Sequence, residues 1–133
     1  MTRLGIRPET AGLSQAFWDG ARRHELLLQR CSACGRHWHP PSEFCPHCRS
    51  STWAWVAAAG GGTIYSFTVV HHAVHPVLAD RLPYTVVLVD LDEGARVVAR
   101  SAGAQPEIGR RVTLGFADYD EISLPEFAAA DGG

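Results

Sequence analysis

Residues 31–48 read CSACGRHWHPPSEFCPHC and hold all four cysteines of the chain. Cys31 and Cys34 form one C-x-x-C pair and Cys45 and Cys48 a second, with ten residues between them. In such a pair a tight loop presents two thiolates to one ion while its own amides point at the sulfurs, and two pairs complete a tetrahedral site with Zn–S near ~2.3 Å. Gly35, directly after the first pair, supplies the left-handed backbone that this loop needs. Pro40 and Pro41 bar a helix through the region. No apolar run approaches the ~18 residues of a membrane span, and the opening MTRLGIRPETAGLS lacks the apolar centre of a signal peptide. The expectation is therefore a cytoplasmic chain without a membrane partner. In a reducing compartment, closely spaced thiols hold metal and not disulfides.

Four protein thiolates around one ion leave no position for water or substrate, so the predicted centre is structural and not catalytic. Its two net negative charges have Arg30, Arg36 and Arg49 beside the ligands to offset them. Zinc is the expected ion. A tetrahedral four-sulfur shell also accepts iron, as in a rubredoxin-type electron carrier, although the chain shows no second redox element. His37, His39 and His47 lie within the same stretch as spare ligands, but four cysteines already fill a tetrahedron.

Around the cage, the sequence predicts a mainly β protein. SQAFWDGARRH over 14–24 places Phe17, Trp18 and Ala21 on one side at helical spacing, with Ser14 as the N-cap. The Leu26–Leu28 run then suits a strand buried on both faces. After the cage the period drops to two. TWAWVAAA reads as a first strand, GGG at 60–62 as a break or bulge, and TIYSFTVVHH as a second strand. PYTVVLVDLDEGARVVARSAG gives a hairpin turning at Asp92–Gly94, and RRVTLGFADYDEISLPEF two more short strands before a mobile AAADGG tail. About five strands joined by short turns fit a partly open OB-type barrel. The expected division is 1–51, helix and zinc ribbon, and 52–133, OB-fold with a short tail.

At 133 residues, 46% hydrophobic and 20% charged, the chain is long and apolar enough to fold around a sizeable core. A net charge of −2, with no run of more than two arginines and no lysine, gives no basic footprint for nucleic acid. GGGT lacks the lysine and following helix of a phosphate loop. Asp90, Asp92 and Glu93 fall at a hairpin tip, where acids serve the turn, and Ser50, Ser51 and Ser66 lie in no nucleophile elbow. His71 and His72, on a continuing strand, would point to opposite faces and could not share an ion; these and His75 remain loop residues or contacts at a barrel end. Tyr65 and Phe67 alternate onto one face, as barrel core or as a stacking platform. No catalytic constellation emerges.

Taken together, the FW helix, LLLQRC, CxxCG, PP, CPxC, a tryptophan strand, GGGTIYSFTVVH, PYTVVLVDLDEGAR and LPEF resemble the DUF35 family from about Phe17 to Phe127, with GGGT where GxGT is commonest. The resemblance implies a helix and rubredoxin-like zinc ribbon followed by an OB-fold, one structural zinc on Cys31, Cys34, Cys45 and Cys48, and acyl-CoA as a ligand. It implies a non-catalytic accessory subunit docking on a thiolase-superfamily protein: a thiolase, a synthase, or an aldolase acting on CoA thioesters in steroid side-chain degradation, in a heterotetramer. Phe17, Trp18, Trp38, Tyr65, Phe67, His71 and His72 are the expected contacts to partner or acyl-CoA. The alternative is a single-stranded nucleic-acid-binding zinc-ribbon and OB module.

Overall fold

The structure, a computed structural model, describes residues 12–72, 76, 81–103 and 106–130. The opening arm, His75 and the last three residues of the tail lie outside them. A 3-10 turn at Gly12–Ser14 runs directly into helix α1, Gln15–Arg22, which buries Phe17, Gly20 and Ala21. Ser14 precedes the helix but does not cap it: its backbone is already helical and its side chain makes no capping bond, because the 3-10 turn continues into α1. At the other end His24 takes a left-handed φ of 63°, and the amides of Arg23 and Glu25 both donate to the Gly20 carbonyl. This closes the orphan carbonyls of the last turn. A Cβ on Gly20 would lie 2.7 Å from Leu27, so the helix lies hard against the next strand.

That strand, β1 (Leu27–Cys31), is the centre of an antiparallel sheet between β2 (His37–Trp38) and β3 (Trp53–Ala57). The tryptophan strand therefore belongs to the ribbon and is not the first strand of the barrel. Its register on β1 runs unbroken from Leu27↔Ala57 to Cys31↔Trp53. The second cysteine loop accounts for this placement: Cys45 N–H donates to the Ser50 carbonyl and Ser32 N–H to Thr52, which brings the returning chain alongside β1.

The barrel comprises β4 (Gly61–Val70), β5 (Tyr84–Leu91), β6 (Arg96–Ser101), β7 (Arg111–Asp118) and β8 (Ser123–Ala129), closed in the order β4-β5-β6-β8-β7. This is the order of an OB-fold, with a parallel β6–β8 pair closing it. Of the GGG stretch only Gly60, at φ 107°, acts as a break. Gly61 and Gly62 lie in β4, and at Gly62 a Cβ would come 2.6 Å from Val89 and 2.8 Å from the Asp90 carbonyl oxygen. The bulge falls later, between Ile64 and Ser66. It separates Tyr65, half exposed, from Phe67, which packs on the core, so the two aromatics do not share a face. Ala128 and Ala129, expected in the mobile tail, extend β8 instead.

Ribbon and barrel share one apolar core. Phe17, Leu26 and Leu28 from the front pack in the same cluster as Ile64, Val87, Val89 and Phe127 of the barrel. Polar contacts tie the same joint. Arg22 donates to the Tyr119 carbonyl (2.6 Å), the Asp120 carbonyl (2.7 Å) and Ser123 Oγ (3.1 Å). His24 Nε2 lies 2.8 Å from Asp118 Oδ1 while its ring stacks on Phe116.

Candidate metal centre and contact surface

The two cysteine loops repeat one geometry. The amide four residues after the first cysteine donates back to its carbonyl, Gly35 to Cys31 (2.9 Å) and Arg49 to Cys45 (2.8 Å). The first cysteine's own amide reaches forward, Cys31 to Arg36 and Cys45 to Ser50, both at 2.9 Å. Both loops turn through the left-handed region, at φ 78° for Gly35 and 69° for Arg49, so the second does with arginine what the first does with glycine. Loop amides also point at sulfur: Cys34 N–H to Cys31 Sγ and His47 N–H to Cys45 Sγ, each 3.4 Å.

These loops bring the four Sγ atoms within 4.8 Å of one another, with Cys31–Cys48 at 3.5 Å and Cys34–Cys45 at 3.7 Å. A tetrahedron with Zn–S of ~2.3 Å has edges of about 3.8 Å, so the spacing fits one ion and is too long for disulfides. The proton affinities agree. The Cys34 amide, ahead of other influences, brings the Cys31 thiol down to about 6. At Cys45 burial pushes upward, but the Cys48 and His47 amides and neighbouring thiols outweigh it and the thiol titrates below its ordinary value. Cys48 is pulled down by the Ser50 amide yet ends pushed up to about 11 by the Cys31, Cys34 and Cys45 sulfurs crowding it. The four cysteines are thus positioned to bind one zinc ion, and in a closed shell.

Trp38 is 5% exposed and packs with Trp53 against Cys31 and Cys45. Its side chain belongs to the interior of the ribbon and not to a contact surface. Behind it, Gln29 is buried and bonds Ser42 twice: Nε2 donates to the carbonyl (2.7 Å) and Oε1 accepts from the amide (2.9 Å). This fastens the Pro40–Pro41 loop to β1.

Phe17 and Trp18 meet edge to face at 4.9 Å and wall a cleft of about 430 Å³. His39, Pro40 and Pro41 form a second wall, and Val98, Arg100 and Leu124 line the barrel side. Burial holds the His39 imidazole below its ordinary value, so at neutral pH it is an uncharged ring beside Phe17, 5.1 Å between centroids. Tyr65 lies elsewhere, on the outer barrel face, with the Arg96 guanidinium 3.6 Å above its ring and Asp90 bonded to that guanidinium at 2.6 Å. The ring is capped and is not a free stacking platform. β4 ends at Val70, and His71 and His72 follow as exposed residues beyond it. The structure thus brings Phe17 and Trp18 together and scatters the other expected contacts.

The remaining acids are held by nearby groups. Asp92 takes a bidentate contact from Arg111 (2.6 and 2.8 Å), and Glu93 accepts from the Ala59 amide (2.7 Å). Sequence reasoning missed the cluster of Arg22, His24, Asp118 and Ser123, which joins two short segments about a hundred residues apart and carries no local signal. It brings Ser, His and Asp together without making a nucleophile: Ser123 is fully buried and donates to Asp118 Oδ1 (2.5 Å), not to His24. Asp118 is held below the ordinary carboxylate range by that hydroxyl and then by His24.

Among the described residues no helix is long and apolar enough to cross a membrane. Residues 18–54 match the family described as "ChsH2, rubredoxin-like zinc ribbon domain" and 55–117 that described as "ChsH2, C-terminal OB-fold domain". A probable enoyl-CoA hydratase alpha subunit of Thermomonospora curvata is 44% identical over 131 residues, covering 94% of this chain and 40% of its own length. The 3-oxo-4,17-pregnadiene-20-carboxyl-CoA hydratase alpha subunit of Mycobacterium tuberculosis is 37% identical over 123 residues, 90% of this chain and 38% of that protein. The chain thus spans about two fifths of these two relatives. A DUF35 domain-containing scaffold protein of Methanocaldococcus jannaschii is 34% identical over 98 residues, 71% of this chain and 69% of that one. Among solved structures, a chain of the Ltp2-ChsH2(DUF35) aldolase superposes with a TM-score of 0.83 at 42% identity, covering 93% of this chain and 99% of the other.

Proposed function

The chain belongs to the DUF35 family, and from that premise we propose that it is a non-catalytic accessory subunit that docks on a thiolase-superfamily enzyme and helps bind or channel its acyl-CoA thioester. The supporting observation is the likeness, over nearly the whole chain, to the DUF35 component of an aldolase complex. The chemistry of the chain is consistent with that role. A closed four-thiolate centre holds shape and offers no open position, and the Ser123–Asp118–His24 cluster is wired as a clamp. The hydratase relatives support CoA thioesters as the substrate class, and the pregnadiene-carboxyl-CoA hydratase relative supports a steroid acyl group. A dimeric thiolase-like enzyme carrying one such subunit per protomer gives a heterotetramer.

Co-expression with a thiolase-superfamily protein of the same organism tests this. The expected result is a stable complex by size-exclusion chromatography, zinc-loaded, that cleaves or condenses acyl-CoA at least about tenfold faster than the enzyme alone, ~1.4 kcal/mol of barrier. No association with any such protein, or an unchanged rate in the assembled complex, would sink the reading.

A further inference from the structure

Among the described residues the barrel closes between β6 and β8 through only two residue pairs, Arg100↔Glu126 and Ser101↔Phe127. On its other side β6 pairs with β5 from Arg96 to Arg100. One edge of β6 is thus paired over five of its six residues and the other over a short stretch only. The reason is in the sequence of β8. In a parallel ladder the donors of one strand are spaced two residues apart. Ala102 N–H donates to the Phe127 carbonyl, which puts the Phe127 amide opposite the Arg100 carbonyl and position 125 opposite that of Val98. Position 125 is proline and has no N–H to give. The ladder stops there.

The orientation of Val98 follows from the other edge. Leu91 N–H bonds the Ala95 carbonyl, and antiparallel pairs alternate, so Val89↔Val97 and Val87↔Ala99 are the hydrogen-bonded pairs of β5 and β6. The N–H and C=O of Val98 therefore point away from β5, into the seam. Val98 is also 62% exposed, an unusual state for a valine in a barrel strand.

The seam opens into the cleft beneath α1. Trp18 and Phe17 and the Pro40–Pro41 loop face β6 across it. At its rim Arg100 has a single long bond to the Tyr119 hydroxyl, 3.5 Å, and no carboxylate partner among the described residues. An unpaired strand edge, an aromatic wall and a guanidinium without a salt bridge among the described residues, all along one groove, select for an occupant with a backbone. An acyl chain would satisfy the wall but not the edge.

We infer that the seam between β6 and β8 is a strand-addition site. It takes an extended segment of the partner subunit, which pairs with β6 at Val98, seats an apolar side chain against Phe17 and Trp18 and sets a carboxylate on Arg100. The partner is the thiolase-like enzyme of the preceding section, so the inference rests on that reading, but it concerns which surface docks and by what chemistry.

The test uses the zinc-loaded chain with its full-length partner and with overlapping 15-residue peptides tiling that partner. One contiguous set of peptides, containing an acidic residue next to an apolar one, is expected to bind, and the Val98 amide is expected to gain protection from hydrogen exchange in the complex. Val98→Pro removes the seam-facing N–H without taking a donor from the β5 ladder, and should weaken binding at least about tenfold. Val98→Thr, which keeps the backbone, should bind like the wild type. Arg100→Glu, a surface change that leaves the strand intact, should weaken binding and keeps the test open if Val98→Pro misfolds or loses zinc. Assembly with full affinity by both Val98→Pro and Arg100→Glu, with an unprotected Val98 amide, would overturn the inference while leaving the accessory role standing. Binding of octanoyl-CoA in the cleft with no peptide binding would also overturn it, as would self-association of the chain through this edge. Failure to assemble with any thiolase-like protein would defeat both, and is read separately by size.

Discussion

Gln29 offers the sharpest test of how the ribbon is held. It is 1% exposed, and its amide makes both of its bonds to one backbone unit, the N–H and C=O of Ser42. Gln29→Met keeps the length and most of the volume of the side chain and deletes both bonds. Each is worth ~0.5–1.5 kcal/mol net, and a buried group left unpaired costs ~1–3 kcal/mol more. Ser42 is only half-buried and water can reach it, which places the total near ~2–3 kcal/mol. The loop freed by the change lies between β2 and Cys45, so the loss should act on the cage. Tryptophan fluorescence during urea unfolding of the zinc-loaded chain should show the lower midpoint, and zinc transfer to a chromogenic chelator should quicken. In the metal-free chain, where metal binding no longer supports the fold, the difference between wild type and variant should shrink. An unfolding free energy within about 0.5 kcal/mol of wild type, with unchanged zinc release, would refute the assignment.

Cys34→Ser should abolish stoichiometric zinc by native mass spectrometry and unfold the ribbon, because there the metal binding energy is folding energy; a folded variant that retains its ion would contradict this. Gly62→Ala should destabilise by ~1–3 kcal/mol, since the new methyl meets the Asp90 carbonyl. Gly115→Ala, with nothing within 4 Å, should stabilise by ~0.5–1 kcal/mol, both read by the same urea unfolding. For Asp118 the folded state binds its proton more weakly than the unfolded state. Its stabilisation is therefore complete above the ordinary carboxylate value of ~4 and is lost as pH falls through the lower folded value. The melting-temperature gap between wild type and Asp118→Asn should narrow from pH 7 to pH 3, and a gap constant across that range would rule out a stabilising role for the Asp118 carboxylate in its bonds to Ser123 and His24.

Features written in short windows are legible in the amino-acid sequence itself. The cysteine spacing determines the cage because both loops are local, and period-two runs mark each barrel strand because alternation needs no knowledge of the neighbour. Partner choice is what short windows do not carry. Residues 53–57 have the same alternation whether they join the ribbon or the barrel; the way the second cysteine loop returns the chain decides it. Trp38 and Tyr65 are both expected as contacts to partner or acyl-CoA, yet one fills the ribbon interior and the other sits outward at a bulge. A bulge shifts faces by one residue and leaves no mark in composition. Arg22 and Tyr119 meet across 97 residues of sequence, and Pro125 reads as an ordinary strand residue until a parallel neighbour reveals the donor it lacks.

The geometry also gives the zinc centre a role at a distance. The cleft wall at His39–Pro41 is joined to the ribbon at both ends, to β2 through Trp38 on one side and to the Gln29–Ser42 pair on the other. Trp38 packs on Cys31 and Cys45, so the position of that wall depends on a formed cage. The opposite wall, Phe17 and Trp18, is fixed by a helix whose last turn is clamped to the barrel through Arg22. One wall is therefore set by metal and the other by the barrel, and the cleft keeps its width only while both hold. Chelation should then weaken partner docking even though no zinc ligand lines the cleft, and the Arg22 clamp should leave the helix wall in place when the ribbon wall loosens.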